Sequence, residues 1–120
     1  MKINEVATYL ELPSETLRYW EKIGIISKVK RDKSGYRQFD QDDVNWIRYV
    51  KCIREVGIPI AQIKEYTNVA RKGGNAILRK EILVAQKSKL KAKVKEIELA
   101  IQMVDYKIDH YNSMSIGSDE

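Results

Sequence analysis

The spacing of apolar residues along this chain, and the breaks in it, mark its elements. Ile3, Val6, Ala7 and Leu10 recur at helical intervals, which predicts a short helix from about Asn4 to Leu10. Glu11-Leu12-Pro13 reads as a turn. A second helix comes next, opened near Pro13 and closed by Gly24, with Leu17 and Ile23 inward and Thr16, Arg18, Tyr19 and Lys22 outward. Two short helices across a tight turn make a helix-turn-helix candidate. From Ile26 to Phe39 β-branched and aromatic residues surround Asp32-Lys33-Ser34-Gly35, which predicts a two-stranded wing. Its tip would carry Arg31 and Lys33 and its return strand Tyr36, Arg37 and Phe39.

Helical spacing then resumes. Asp40 is placed as an N-cap with Asp43 three residues on, ahead of a core stripe of Val44, Ile47, Val50 and Ile53. Gly57 ends that helix, and Ile58-Pro59-Ile60 opens another with Ile60, Ile63 and Tyr66 inward. Arg71-Lys72-Gly73-Gly74-Asn75 is a break, with Asn75 placed to cap the next segment. From Ala76 to about Asn112 there is no Gly or Pro. Leu83 lies one heptad before Leu90, and Leu90, Val94, Ile97, Ile101, Val104, Ile108 and Tyr111 fall on alternating three- and four-residue steps. Lys87 alone breaks the series. This is coiled-coil patterning, and roughly 37 residues at 1.5 Å each give a rod of about 55 Å. Such a rod is too long to pack on its own small domain, so a homodimer is expected, joined through Leu83, Leu90, Val94, Ile97, Ile101, Val104 and Ile108.

The outward hydroxyl, guanidinium and ammonium groups of the second helix suit a phosphate backbone and a groove floor. The expected fold is mainly α: a winged helix-turn-helix DNA-binding domain over 1–73, a long coiled-coil dimerisation helix over 74–112, and a disordered polar tail over 113–120.

Charge sharpens this picture. The formal net charge is +5, which favours an anionic partner, and its placement favours nucleic acid. Between Arg18 and Arg37 the bases Arg18, Lys22, Lys28, Lys30, Arg31, Lys33 and Arg37 outnumber the acids Glu21 and Asp32. The single cysteine, Cys52, excludes an internal disulfide and a cysteine-rich metal framework. Neither a signal peptide nor an apolar run of bilayer length is seen, so a cytoplasmic protein with no membrane partner is expected.

Four motifs carry a family likeness: Thr16-Leu17-Arg18-Tyr19-Trp20-Glu21, Gly24-Ile25-Ile26, Gly35-Tyr36-Arg37-Gln38-Phe39-Asp40 and Gly57-Ile58. In their order and spacing the chain resembles the MerR family of bacterial transcription regulators. It departs from that pattern at Trp20, where a second tyrosine is usual, at Pro13 and Pro59, where a Ser or Thr cap is usual, and at Glu11, which replaces a common turn glycine. The resemblance implies a dimer on a pseudo-palindromic site in an overlong promoter spacer. It also implies that bending and untwisting this double-stranded DNA realigns the promoter for RNA polymerase, an indirect partner. It implies an antiparallel orientation for the coiled coil, which the sequence alone does not give.

The likeness weights individual residues. Arg18 and Tyr19 would otherwise read as a solvated helix face; here they read as contacts to phosphate or base edges. Thr16 either reaches a phosphate or caps locally. Trp20 either meets DNA or packs the core. Lys33, Tyr36 and Arg37 form a second cluster, a phosphate track along the wing rather than a plain surface hairpin. Cys52 is either a small packed residue or a sensor. A cation one turn before it, Arg48, favours a reactive thiolate. Lys51-Cys52-Ile53-Arg54 ahead of Gly57-Ile58 also resembles the cysteine position in the branch that responds to aldehydes and other electrophiles. Metal sensing is not expected: metal-responsive relatives place cysteines at and beyond the end of the long helix, whereas Ser113–Glu120 holds none and His110 stands alone. Drug sensing is not expected either, since no ligand-binding domain follows.

Two other readings stay open at this level. One is an architectural, excisionase-like winged-helix DNA-binding protein with no sensing role, which the long coiled coil disfavours. The other is a coiled-coil adaptor with an incidentally basic head. An enzyme is not expected, nor a cofactor: there is no phosphate-cradling Gly loop, no metal-ligand set and no Cys–His pairing.

Overall fold

A computed structural model of the chain describes residues 1–73 and 75–113. It holds five helices in the order α1 (Ile3–Leu10), α2 (Ser14–Ile23), α3 (Gln41–Glu55), α4 (Ile60–Arg71) and α5 (Ala76–Ser113). The polypeptide divides into two compact units, Met1–Ile82 and Leu83–Glu120.

Local chemistry sets the ends of the helices. The Glu5 carboxylate accepts from the Lys2 backbone N–H (2.8 Å) at the start of α1. Glu11 closes that helix in the left-handed conformation (φ 55°), which disfavours a side chain with a Cβ by about 1–2 kcal/mol. Pro13 and Pro59 precede α2 and α4 with extended backbone and no side-chain cap, pre-set for entry by their fixed φ. Gly24 ends α2 at φ 86°, and its position lets the Ile25 N–H reach the Trp20 carbonyl (2.9 Å). A full capping box opens α3: Asp40 accepts from the Asp43 N–H (2.8 Å), and Asp43 accepts from the Asp40 N–H (3.0 Å). The Leu78 N–H donates to the Asn75 side chain (2.7 Å) at the head of α5.

The expected two-stranded wing is corrected. Between α2 and α3 the described residues hold one antiparallel bridge, Arg31 to Arg37, and no sheet. The turn itself is well tied. Asp32 Oδ1 accepts from the Ser34 and Tyr36 amides, and Gly35 takes φ 84°. The bridge is made by the Asp32 N–H donating to the Tyr36 carbonyl (2.8 Å) and the Gln38 N–H donating to the Lys30 carbonyl (2.7 Å). A further ladder donor on the open side would be the Asp40 N–H, and it is spent on Asp43 in the capping box of α3. The Val29 and Phe39 amides face away from the hairpin, to Glu21 Oε2 (2.8 Å) and the Met1 carbonyl (2.7 Å).

The core of the first unit gathers Val6, Leu17, Ile25, Val44, Ile47, Val50, Ile58 and Ile63, all almost fully buried. The expected stripe on α3 is thus seen at Val44, Ile47 and Val50, with Ile53 only half-buried. Beside the core, Trp46 stacks between Tyr49 (centroids 5.1 Å apart) and Tyr66 (5.6 Å), and its indole N–H donates to the Ile25 carbonyl (2.9 Å). This rack pins α3 to α4 and to the segment leaving α2.

The second unit is a length of single helix. Of its expected seam, Leu90 is half-buried and Val94, Ile97, Ile101, Val104 and Ile108 are exposed. Ser113 closes α5, and residues 114–120 of the expected tail lie outside the described residues. Among the described residues no helix is long and apolar enough to cross a membrane.

Candidate nucleic-acid interface

The outward face of α2 is set by its inward one. Leu17 and Trp20, three residues apart, are both buried, which turns Arg18, Tyr19 and Lys22 to solvent. Tyr19 is 52% exposed. Thr16 is half-buried beside them. Trp20 is corrected here: at 5% exposure its ring belongs to the core, not to a contact surface.

The wing brings the second cluster alongside. A cleft of about 230 Å³ is lined by Lys2, Ile3 and Asn4 from the start of α1, Arg18 from α2, and Arg31, Gly35, Tyr36 and Arg37 from the wing. It unites three of the expected contact residues, Arg18, Tyr36 and Arg37. Thr16, Tyr19 and Lys33 do not line it, although Tyr19 and Lys33 are exposed. Arg31 is not at the tip, as expected, but at the bridge, where its guanidinium donates to the Gly35 carbonyl (2.8 Å). Lys2 adds a charge that spacing does not single out; its ammonium lies 4.9 Å from the centre of the exposed Tyr36 ring. Asn4 accepts from the Ser14 hydroxyl (3.1 Å), joining the two helices at the cleft's edge.

Four cationic side chains thus border one small cleft. The acid nearest to them is already committed. Glu21 accepts from Arg37 Nε through Oε1 and from the Val29 N–H through Oε2, both at 2.8 Å. Burial pushes its pKa up, but the Val29 amide and the Arg37 guanidinium outweigh burial and hold the carboxyl below its ordinary 4.5. At neutral pH it is a charged anchor for the wing. In the sequence Glu21 counts only as an acid among bases; its distance of 16 residues from Arg37 hides the pairing.

Cys52 lies on α3, far from these residues in sequence. It is exposed within this chain rather than packed in its core. Arg48, one turn earlier, spends part of its guanidinium on Tyr9, donating to the hydroxyl (2.9 Å) and lying 5.5 Å from the ring centre. Burial first, then Tyr66 and Cys52, raise the pKa of Tyr49. Among the described residues no group of three or more His, Cys, Asp or Glu is placed to hold a metal ion.

Residues 1–69 match the family model for MerR HTH family regulatory proteins, which covers more than half of the chain. The chain belongs to the MerR family. The HTH-type transcriptional regulator AdhR of Bacillus subtilis (strain 168) is 40% identical over 91 residues, 75% of this chain and 65% of AdhR. The chain therefore spans just under two thirds of that relative's length. A MerR family transcriptional regulator from Listeria monocytogenes has a crystal structure similar to this one, with a TM-score of 0.86 and 31% identity over 94% of this chain and 86% of the other. HiNmlR, a MerR family regulator lacking the sensor domain and crystallised bound to promoter DNA, shares the fold, with a TM-score of 0.83 and 23% identity over 92% and 89% of the two chains. The MerR fold here is thus all α, with the long α5 following the helix-turn-helix and no sheet in the wing.

Proposed function

We propose that this MerR-family regulator binds double-stranded promoter DNA as a homodimer and switches transcription by distorting the spacer, acting on RNA polymerase only through the promoter. The observation that carries this reading is the convergence of Lys2, Arg18, Arg31 and Arg37 on one cleft, beside the exposed α2 face of Arg18, Tyr19 and Lys22. Guanidinium and ammonium groups at two adjacent elements fit successive phosphates, while α2 supplies side chains for the groove. Thr16, Arg18, Tyr19, Lys33, Tyr36 and Arg37 form the proposed contact set. The seam of α5, from Leu83 and Leu90 through Val94, Ile97, Ile101, Val104 and Ile108, provides the join between copies. Its exposed residues would otherwise leave a long apolar stripe in water. HiNmlR, with its promoter DNA, supports this reading by fold.

Cys52 is proposed as the sensor of aldehydes and other electrophiles. Its exposure makes the sulfur reachable, and α3 connects it to the same core that seats α2. The experiment is in vitro transcription from a promoter that the protein footprints, with and without formaldehyde. Wild type changes output on treatment. Cys52→Ser binds the promoter equally well but does not respond. A response that survives in Cys52→Ser removes the sensor from this account and leaves the DNA-binding reading standing.

A further inference from the structure

The carboxylate of Glu21 sits where a DNA-binding surface should least want a negative charge, between the outward face of α2 and a wing rich in cations. It is held at 2.8 Å by Arg37 Nε from one side and at 2.8 Å by the Val29 backbone N–H from the other. With 12% of its side chain exposed it is largely withdrawn from solvent, and Arg37 retains 22%. The base of the wing is held by the buried Val29 and Phe39 and by the Phe39 amide and carbonyl, both bonded to Met1. Nearer its tip the strands meet in a single bridge, at Arg31 and Arg37, and there Glu21 adds the tie from α2.

We infer that Glu21 is a positioning residue: its carboxylate sets the angle between α2 and the wing, so that Arg37 and the cleft cations meet the phosphates of the same DNA that Arg18 reads. The inference rests on the DNA-binding reading above and adds a role no contact residue carries. Glu21 gives up general attraction to DNA in exchange for a fixed spacing of charges. A carboxylate in a cationic cleft weakens binding to any duplex, because each neutralised phosphate competes with it for the same cations. Fixing two recognition elements relative to each other strengthens binding only where the DNA presents both partners at the right separation. The two effects have opposite signs on non-specific and specific duplexes.

Glu21→Gln separates them. Both carboxylate oxygens accept from N–H donors, and a carboxamide has only one acceptor oxygen, so either flip sets its NH2 against a donor. One tie to the wing is lost in every rotamer. The probes are a duplex enriched by the wild-type full chain from a random-sequence pool and a shuffled duplex of the same composition. The expected result is that Glu21→Gln loses about tenfold in affinity for the enriched duplex. On the shuffled duplex it gains up to about threefold. Amide exchange at Val29 and Gln38 should quicken in the free protein, while the core amides of Val44 and Val50 keep their protection.

A gain on both duplexes would make Glu21 a simple charge damper and overturn the inference. So would an equal loss on both with core exchange quickened, the mark of a general structural role. If Glu21→Gln fails to fold, Glu21→Asp keeps the charge and shortens the reach; an unchanged ratio between the two duplexes in that variant also overturns the inference. Wild type that enriches no duplex removes the DNA-binding reading itself, an outcome distinct from all of these.

Discussion

The two units of this chain handle apolar surface in opposite ways. In Met1–Ile82 large apolar side chains from four helices and the wing meet one another, and eight are almost fully buried. In Leu83–Glu120 the apolar side chains are as regular in sequence, yet Ile97 is 59% exposed and Val104 57%. Burying such a side chain is worth about 1.5–3 kcal/mol, so a seam of them is a large unrealised stabilisation within one chain. The contrast teaches that apolar content is no guide to self-sufficiency. The first unit covers its large apolar side chains within the chain, and the second leaves its seam for the proposed second copy.

The sharpest way to break that comparison is to put charge in the seam. Ile97→Glu with Val104→Glu should convert the proposed dimer to a monomer in sedimentation and cost about 100- to 10,000-fold in affinity for a two-half-site duplex, the avidity of a linked pair. The near-ultraviolet signal of Trp20 and Trp46 should stay, because both lie in the first unit. Loss of that signal would show that the substitutions disturb the first unit as well.

Within the first unit, Arg18 and Trp20 are near neighbours in sequence with opposite surroundings. Arg18→Ala should weaken binding to an enriched duplex by about 10- to 100-fold. Trp20→Phe should leave binding and its salt slope alone and show instead in a lower melting temperature. A drop in affinity from Trp20→Phe at unchanged stability would restore it as a contact.

A smaller effect comes from pH. Because the pKa of Glu21 is lowered on folding, its contribution to stability is present above 4.5 and is lost as pH falls through the folded value. The difference in melting temperature between wild type and Glu21→Gln should be constant from pH 7 to 5. It should narrow below 4.5 and vanish in stronger acid. Asp40, with a lowered pKa, and Asp43, with a raised one, titrate in both proteins and cancel in that difference. A gap that persists in acid would mean that the tie does not depend on the carboxylate's charge.

Much of the architecture can be read from residue spacing because it is locally determined. Gly24, the Asp40–Asp43 box and Asn75 act within a few residues of themselves, and all three do in space what their positions indicate. Leu17 can be assigned inward from periodicity alone. Trp20 cannot, since the departure from tyrosine draws attention to chemistry where volume decides. Two strands are over-read in the wing because β-propensity says nothing about where amides donate, and the Asp40 amide that a longer ladder would use caps α3 instead. Lys2, Asn4 and Glu21 escape notice at the site for one reason: each acts across a gap in sequence, Lys2 on Tyr36, Asn4 with Ser14 and Glu21 on Arg37. The aromatic rack of Tyr49, Trp46 and Tyr66 is hidden in the same way, split between α3 and α4.

The central claim is that the surface formed by α2 and the wing is presented twice on one duplex by paired copies of α5. Hydroxyl-radical footprinting of the wild-type protein on its enriched duplex tests it most directly. The account predicts two protected patches on one face of the DNA, separated by a whole number of turns of about 34 Å, both lost together in the Ile97→Glu, Val104→Glu variant. A single patch, or two patches that survive in that variant, would contradict it.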